Sequence, residues 1–146
     1  MIDKYYPQIL VSLQFGIIGL MAIFSDGVLS SIYAILLFII GALIGLWALT
    51  HNQLGNFHIQ PIIRDGSRLI TSGIYKYIRH PMYLSVIIMM SALLLSTVTI
   101  VEGILFITLI VVLTLKAKRE ESLWLEHNEA YDDYKNSSKL FIPFVL

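Results

Sequence analysis

The sequence predicts an all-α integral membrane helical bundle, with four transmembrane helices in two antiparallel hairpins plus a cytoplasmic C-terminal helix. Three observations predict it. The 146-residue chain is 57% hydrophobic and only 14% charged, with a mean hydropathy of +0.77, whereas a soluble domain averages about 25% charged residues. Four apolar runs approach the ~20 residues that a helix needs to cross a bilayer. All 10 lysines and arginines fall outside those runs, in three segments that four spans bring to one face, which the positive-inside rule makes cytoplasmic.

The first run, Gln8 to Phe24, follows Met-Ile-Asp-Lys with no small-residue cleavage site, so it reads as a retained span and not as a signal peptide. A short link, Ser25 to Ser30, folds it against the second run, Ser31 to Thr50. The third, Pro81 to about Thr97, is joined by the equally short Ser96 to Glu102 to a fourth, about Thr99 to Leu115. The cations lie at Lys4, then Arg64, Arg68, Lys76 and Arg79, then Lys116, Lys118, Arg119, Lys135 and Lys139. Only Asp26 and Glu102 face the other way, Glu102 either at a boundary or inside a helix that starts earlier. Both termini and all 4 histidines are thus expected on the cytoplasmic side. The length suits one domain over 1–146, an N-terminal hairpin (1–50) followed by a functional core (51–146). With 0 cysteines, disulfides, thiolate metal sites and cysteine nucleophiles are excluded together. The formal net charge of +0 gives no reason to expect a nucleic-acid partner.

Between spans two and three, His51 to His80 is long for a membrane connection, which points to function or to packing. Asp65-Gly66 and Ser72-Gly73 are turn signals, because glycine takes positive φ at little steric cost. Ser67 to Thr71 reads as a short strand or interfacial segment. Tyr75, Lys76, Tyr77 and Arg79 have the composition of an interface belt. His51 and His58 are seven apart and His80 and His127 are remote, which fits none of the familiar zinc spacings, so no metal is expected.

The loop ends at Arg79-His80-Pro81. Proline lacks a backbone N–H and has a fixed φ, so Pro81 suits the first helical position and His80 sits just outside the helix. The free N–H groups of that turn, with Arg79 and His80 beside them, could hold an anionic group; the plainer alternative is that the two side chains anchor a membrane helix at headgroup level. From Lys116 the fourth span continues into polar sequence as far as Tyr134, with no proline or glycine and mostly good helix formers. Glu120, Trp124, His127, Tyr131 and Tyr134 recur at helical steps along one stripe, where an ordinary amphipathic helix would carry Leu and Ile. A surface helix resting its aromatics on headgroups would also show that pattern. Phe141-Ile142-Pro143-Phe144 is expected to fold back onto the bundle.

Gly73-Ile74-Tyr75-Lys76-Tyr77-Ile78-Arg79-His80-Pro81-Met82-Tyr83, followed by Glu120-Glu121, Tyr131-x-x-Tyr134 and Ile142-Pro143-Phe144, resembles the isoprenylcysteine carboxyl methyltransferase family, which is related to the phospholipid N-methyltransferases. With Asn56-Phe57 and Pro61 the resemblance covers roughly Asn52 to the end. It implies S-adenosylmethionine bound between the cytoplasmic ends of the last helices and the C-terminal segment, and a lipophilic acceptor arriving from the bilayer. It implies further that 51–146 is the cofactor-binding core, with His80 and Tyr83, and Tyr77 just before them, as cofactor contacts. Glu120 then holds the ribose hydroxyls, with Glu121 less directly placed, and Tyr131 and Tyr134 close the pocket. Two departures stand out: Ser85 and His127-Asn128 occupy positions where members commonly carry Gly and Phe-Gly. Serine is small enough for close helix packing, and asparagine tolerates the left-handed geometry of a bend.

The implied reaction is methyl transfer from a sulfonium, for which the enzyme supplies alignment and desolvation. A carboxylate acceptor needs no base, and Arg79 or Arg119 would orient it. An amine or thiol acceptor would want a base, for which His80, His127 or Glu121 are the candidates, so the catalytic set is Arg79, Arg119 and Glu121 with the acceptor left open. The rivals are a nicotinamide-dependent membrane reductase, for which the chain is short and poor in cations, and a non-catalytic membrane scaffold.

Overall fold

A computed structural model describes residues 2–52, 60–62 and 66–142. Asn56, Phe57, His58, Arg64 and Asp65 of the middle loop, and Pro143 and Phe144 at the end, lie outside the described residues. Its regular elements are the helices α1 (Ile2–Phe24), α2 (Ile32–His51), α3 (Pro81–Ser96), α4 (Ile100–His127) and α5 (Ala130–Ser137), with 3-10 turns at Val28–Ser30 and Gly73–Lys76. The fold is a membrane helical bundle. By length and composition, α1, α2 and α4 are long and apolar enough to cross a membrane, while α3 is apolar but has 16 residues. That is about 24 Å of helix, over nearly the same residues as the expected third run, against a hydrocarbon core of about 30 Å.

Successive helices run up and down, yet the most extensive contacts are between α2 and α3 and between α1 and α4. Small residues explain the first pair. A Cβ added at Gly45 would lie 2.5 Å from Ser85 Oγ, and one at Gly41 would lie 2.8 Å from Met89 Cγ and 2.9 Å from Met89 N. Ser85, buried at 3%, donates from Oγ to the Gly41 carbonyl at 2.8 Å, so serine keeps the helices close and adds a bond that glycine could not. The second pair is held by an apolar core in which Leu10, Ile17 and Met21 meet Leu109, Val112 and Leu113, with Met90 and Leu93 of α3 closing it. At the end away from the charged segments, Asp26 N donates to Thr97 Oγ1 at 2.6 Å, and Thr97 Oγ1 donates to Asp26 Oδ2 at 2.9 Å. The two short links are thereby tied together.

Several boundaries differ from the sequence reading. α1 starts at Ile2, ahead of Gln8, and runs through Pro7, which gives up one helical bond near the helix start. Glu102 lies inside α4, because Thr99 caps the helix by accepting from Glu102 N at 3.2 Å, and it is fully buried. The tail helix is not continuous. Asn128 is extended, at φ −147 and ψ 112 and not left-handed, and its Oδ1 accepts from Ala130 N at 3.0 Å. A side chain that bonds the backbone ahead of it ends one helix and opens the next, so the aromatic stripe is carried by α4 and α5 together. Ser67 to Thr71 takes no regular structure. The turn at Gly73 has φ +59, and a Cβ there would lie 2.2 Å from His51 Cδ2. Only glycine lets the loop fold against the end of α2, which positions Ile74 and Ile78 on Ala48 beneath the site.

Candidate functional site

His80 forms the N-cap of α3, and its carbonyl accepts from Tyr83 N and Leu84 N, both at 3.1 Å. This first turn stacks the His80 and Tyr83 rings, with centroids 5.4 Å apart and planes 2° from parallel. The polar end of α4 then presents two carboxylates to them. Glu120 Oε1 accepts from the Tyr83 hydroxyl, and Oε2 lies 3.4 Å from His80 Nδ1. Glu121 Oε1 lies 3.6 Å from His80 Nε2 and accepts from Arg79 Nε at 2.6 Å, while its Oε2 lies 3.4 Å from Lys135 Nζ. The imidazole is thus held between adjacent carboxylates of one helix.

The C-terminal segment closes the other side. Arg79 Nη1 donates to the carbonyls of Lys135, at 2.9 Å, and of Ser138. The main chains pair as well: Arg79 N donates to Lys139 O at 2.8 Å, Lys139 N to Tyr77 O at 3.0 Å and His80 N to Leu140 O at 3.2 Å. Arg79 therefore commits three of its five N–H donors to protein groups and acts first as a clamp on this segment. The Tyr134 hydroxyl donates to Tyr75 O at 2.7 Å. The Trp124 and Tyr131 rings stack at 6.0 Å and 13°, and Tyr131 meets Tyr134 edge-on at 5.8 Å.

These groups line an open cavity with about 830 Å³ of empty space, its mouth and the solvent in it included. Glu120, His80 and Tyr83 line one part, Trp124, Tyr131 and Tyr134 another, and the middle loop contributes Arg68, Leu69 and Ile70. Burial alone would push the His80 imidazolium pKa down, but its bonds to and charges from Glu120 and Glu121 outweigh burial and raise it above the usual histidine value. Tyr75 is pushed up to about 12 by burial and by the Glu120 charge. Burial likewise pushes Tyr131 and Tyr134 up, so both phenols stay neutral donors.

Of the residues singled out from sequence, the cavity gathers His80, Tyr83, Glu120, Tyr131 and Tyr134, with Arg79 at its wall. Glu121 lies buried behind them, at 6% exposure, and reaches the site through Arg79 and His80. Tyr77 is not brought to the cavity: the residue is 47% exposed, with Lys76 Nζ 5.8 Å from its ring centroid, because the 3-10 turn ending at Lys76 points it outward. Arg119 is half-buried and does not line the cavity either, being turned about 100° around α4 from Glu120. His127 is exposed and outside the lining. Trp124 also lines the cavity, and its place in the stripe between Glu120 and Tyr131 is the sequence signal that points to it. Arg68 carried no signal, since only the path of the loop brings it to the cavity. No cluster of three or more metal-ligating side chains occurs among the described residues.

A family model described as "Isoprenylcysteine carboxyl methyltransferase (ICMT) family" matches residues 34–126. The match begins ahead of Asn52 and ends before Tyr131, so it takes in α2, α3 and the carboxylate pair but neither α1 nor the tyrosines of α5. No curated protein and no solved structure matches the chain.

Proposed function

The chain belongs to the isoprenylcysteine carboxyl methyltransferase family, and from that premise we propose that it methylates the carboxylate of a lipophilic acceptor, with S-adenosylmethionine as donor, at the cytoplasmic face of the membrane. The observation that carries the choice of acceptor is His80. Held between Glu120 and Glu121, whose bonds and charges raise its pKa and so favour the imidazolium, it reads as a counter-ion to the two carboxylates more than as a base. In this reading Glu120 is taken up by Tyr83 and by the cofactor, and Tyr75, Tyr131 and Tyr134 are neutral, so none of these lining groups is left to serve an acceptor as a base. An amine at neutral pH would have to lose a proton before reacting; a carboxylate arrives as a nucleophile.

The donor set suits the cofactor. Glu120 offers carboxylate oxygens to a ribose diol, and Trp124, Tyr131 and Tyr134 offer aromatic faces to an adenine and a sulfonium. The cofactor supplies a methyl group on positively charged sulfur, and its transfer to a carboxylate leaves a thioether and an ester with no proton to move. The protein's work is to orient, to dry the site and to keep charge balanced. In this reading Arg79 aligns the acceptor carboxylate through the two donors that it does not spend on Glu121, Lys135 and Ser138. The domain over 1–146 then works as one methyltransferase unit, with 51–146 as the cofactor-binding core and both termini on the cytoplasmic side.

Calorimetric titration of the purified protein with S-adenosylmethionine and with NADPH tests the donor, heat being expected with the first alone. Incubating membrane lipid extract with methyl-labelled cofactor tests the acceptor. Label released as methanol by mild alkali is expected for an ester; alkali-stable label would move the acceptor to an amine and overturn the carboxylate reading.

A further inference from the structure

Lys116 is buried to 1% exposure on α4, one turn before Glu120, and the reaction described above makes no use of it. Its Nζ donates to Gln14 Oε1 of α1 at 2.5 Å and lies 5.1 Å from the centroid of the Tyr83 ring. Gln14 is buried too, at 6%. Around them, Leu10, Ile17 and Leu113 form an apolar core, where a Leu or Met pair would pack at least as well. Replacing a buried polar pair by apolar residues is often neutral or stabilising, and an ionisable side chain inside a membrane bundle points to function by default. Stability alone does not account for the pair.

The contacts indicate its use. An ammonium over a phenol face is attracted to the ring and draws electron density from it, which holds the ring in place and makes its O–H a better donor. That O–H donates to Glu120 Oε1. Lys116 and Glu120 are also i and i+4 on α4, a spacing at which opposite charges attract. The geometry points to Lys116, braced by Gln14, as a positioning residue that fixes the Glu120 carboxylate through Tyr83. Lys116 does not line the cavity. Gln14 lies on α1, so the contact couples the first helix to the site. The inference rests on reading Glu120 as a cofactor-binding group.

The test is a double-mutant cycle on the affinity of the full-length protein in detergent for S-adenosylhomocysteine, with thermal unfolding followed on each variant. Lys116→Met is expected to unfold at or above the wild-type temperature and to bind roughly fivefold more weakly. In a Tyr83→Phe background, which lacks the hydroxyl, the same substitution is expected to change affinity by less than about twofold. Equal losses in the two backgrounds, or no loss in the wild-type background, overturn the inference. Should Lys116→Met not fold, Lys116→Leu with Gln14→Leu removes both partners together and carries the same expectations. Failure of the wild type to bind overturns the cofactor reading along with this one; wild-type binding with an unaffected Lys116→Met overturns this one alone.

Discussion

His80 lies 3.4 Å from one carboxylate and 3.6 Å from the next, and that placement has a consequence for stability. Its pKa is raised on folding by Glu120 and Glu121 in spite of burial, so the folded state binds the proton more tightly than the unfolded one. The stabilisation is complete below the unfolded value of about 6.5 and is lost as pH rises through the raised folded value. Thermal unfolding in detergent is expected to show a falling limb on the alkaline side that flattens in His80→Gln; an unchanged limb would assign it to another group. The neighbouring Glu120 is expected to matter for binding. Glu120→Gln should weaken S-adenosylhomocysteine binding about tenfold or more, the scale of a charge-assisted hydrogen bond. Glu126→Gln, at an exposed position of the same helix, should leave affinity within about twofold. Equal affinities would remove Glu120 from the site.

Elements fix where these residues can stand, and the α2–α3 contact is the tightest constraint on them. A methyl group at Gly41 would meet the Met89 main chain at 2.9 Å as well as its flexible Cγ, so Gly41→Ala must push α2 from α3, at a cost of about 1–3 kcal/mol. Gly16→Ala, where an added Cβ meets nothing within 4 Å, is expected to be neutral or slightly stabilising. A lowered unfolding temperature for the first substitution alone checks the difference. Much at this scale was legible in the sequence: the apolar runs foretold the long helices, and the fixed φ of Pro81 foretold where α3 begins. What was not legible has physical reasons. The resemblance allowed a left-handed bend at Asn128, but the form of the break, an extended residue whose side chain bonds Ala130 N, leaves no periodic trace in a run of good helix formers. Arg79 clamps carbonyls of residues 135 and 138, and a backbone oxygen looks the same in every residue. Lys116 finds Gln14 102 positions away, a pairing that depends on α1 packing against α4.

At the scale of the whole molecule, both ends of the chain converge on the middle motif: α1 through Gln14 and Lys116, and the C-terminal segment through Arg79. The second connection forms one wall of the cavity, since Tyr131 and Tyr134 ride on α5 and the chain just beyond it pairs with residues 77–80. Arg79 also neutralises Glu121, which is buried at 6%. Arg79→Met would leave that carboxylate with His80 and Lys135 alone and two carbonyls without their donor. Breaking one side of a buried pair costs about 3–5 kcal/mol, and removing both sides costs less. Arg79→Met is therefore expected to lower the unfolding temperature, to speed tryptic cleavage after Lys135 and to weaken S-adenosylhomocysteine binding; adding Glu121→Met should restore part of the unfolding temperature while the cleavage stays fast. The two readouts part because the double variant relieves the stranded charge but does not replace the donors that held the Lys135 and Ser138 carbonyls. Cleavage at the wild-type rate in Arg79→Met would mean that the main-chain pairs of Arg79, His80 and Lys139 hold the segment unaided, and the guanidinium would then be left to balance Glu121 and align the acceptor.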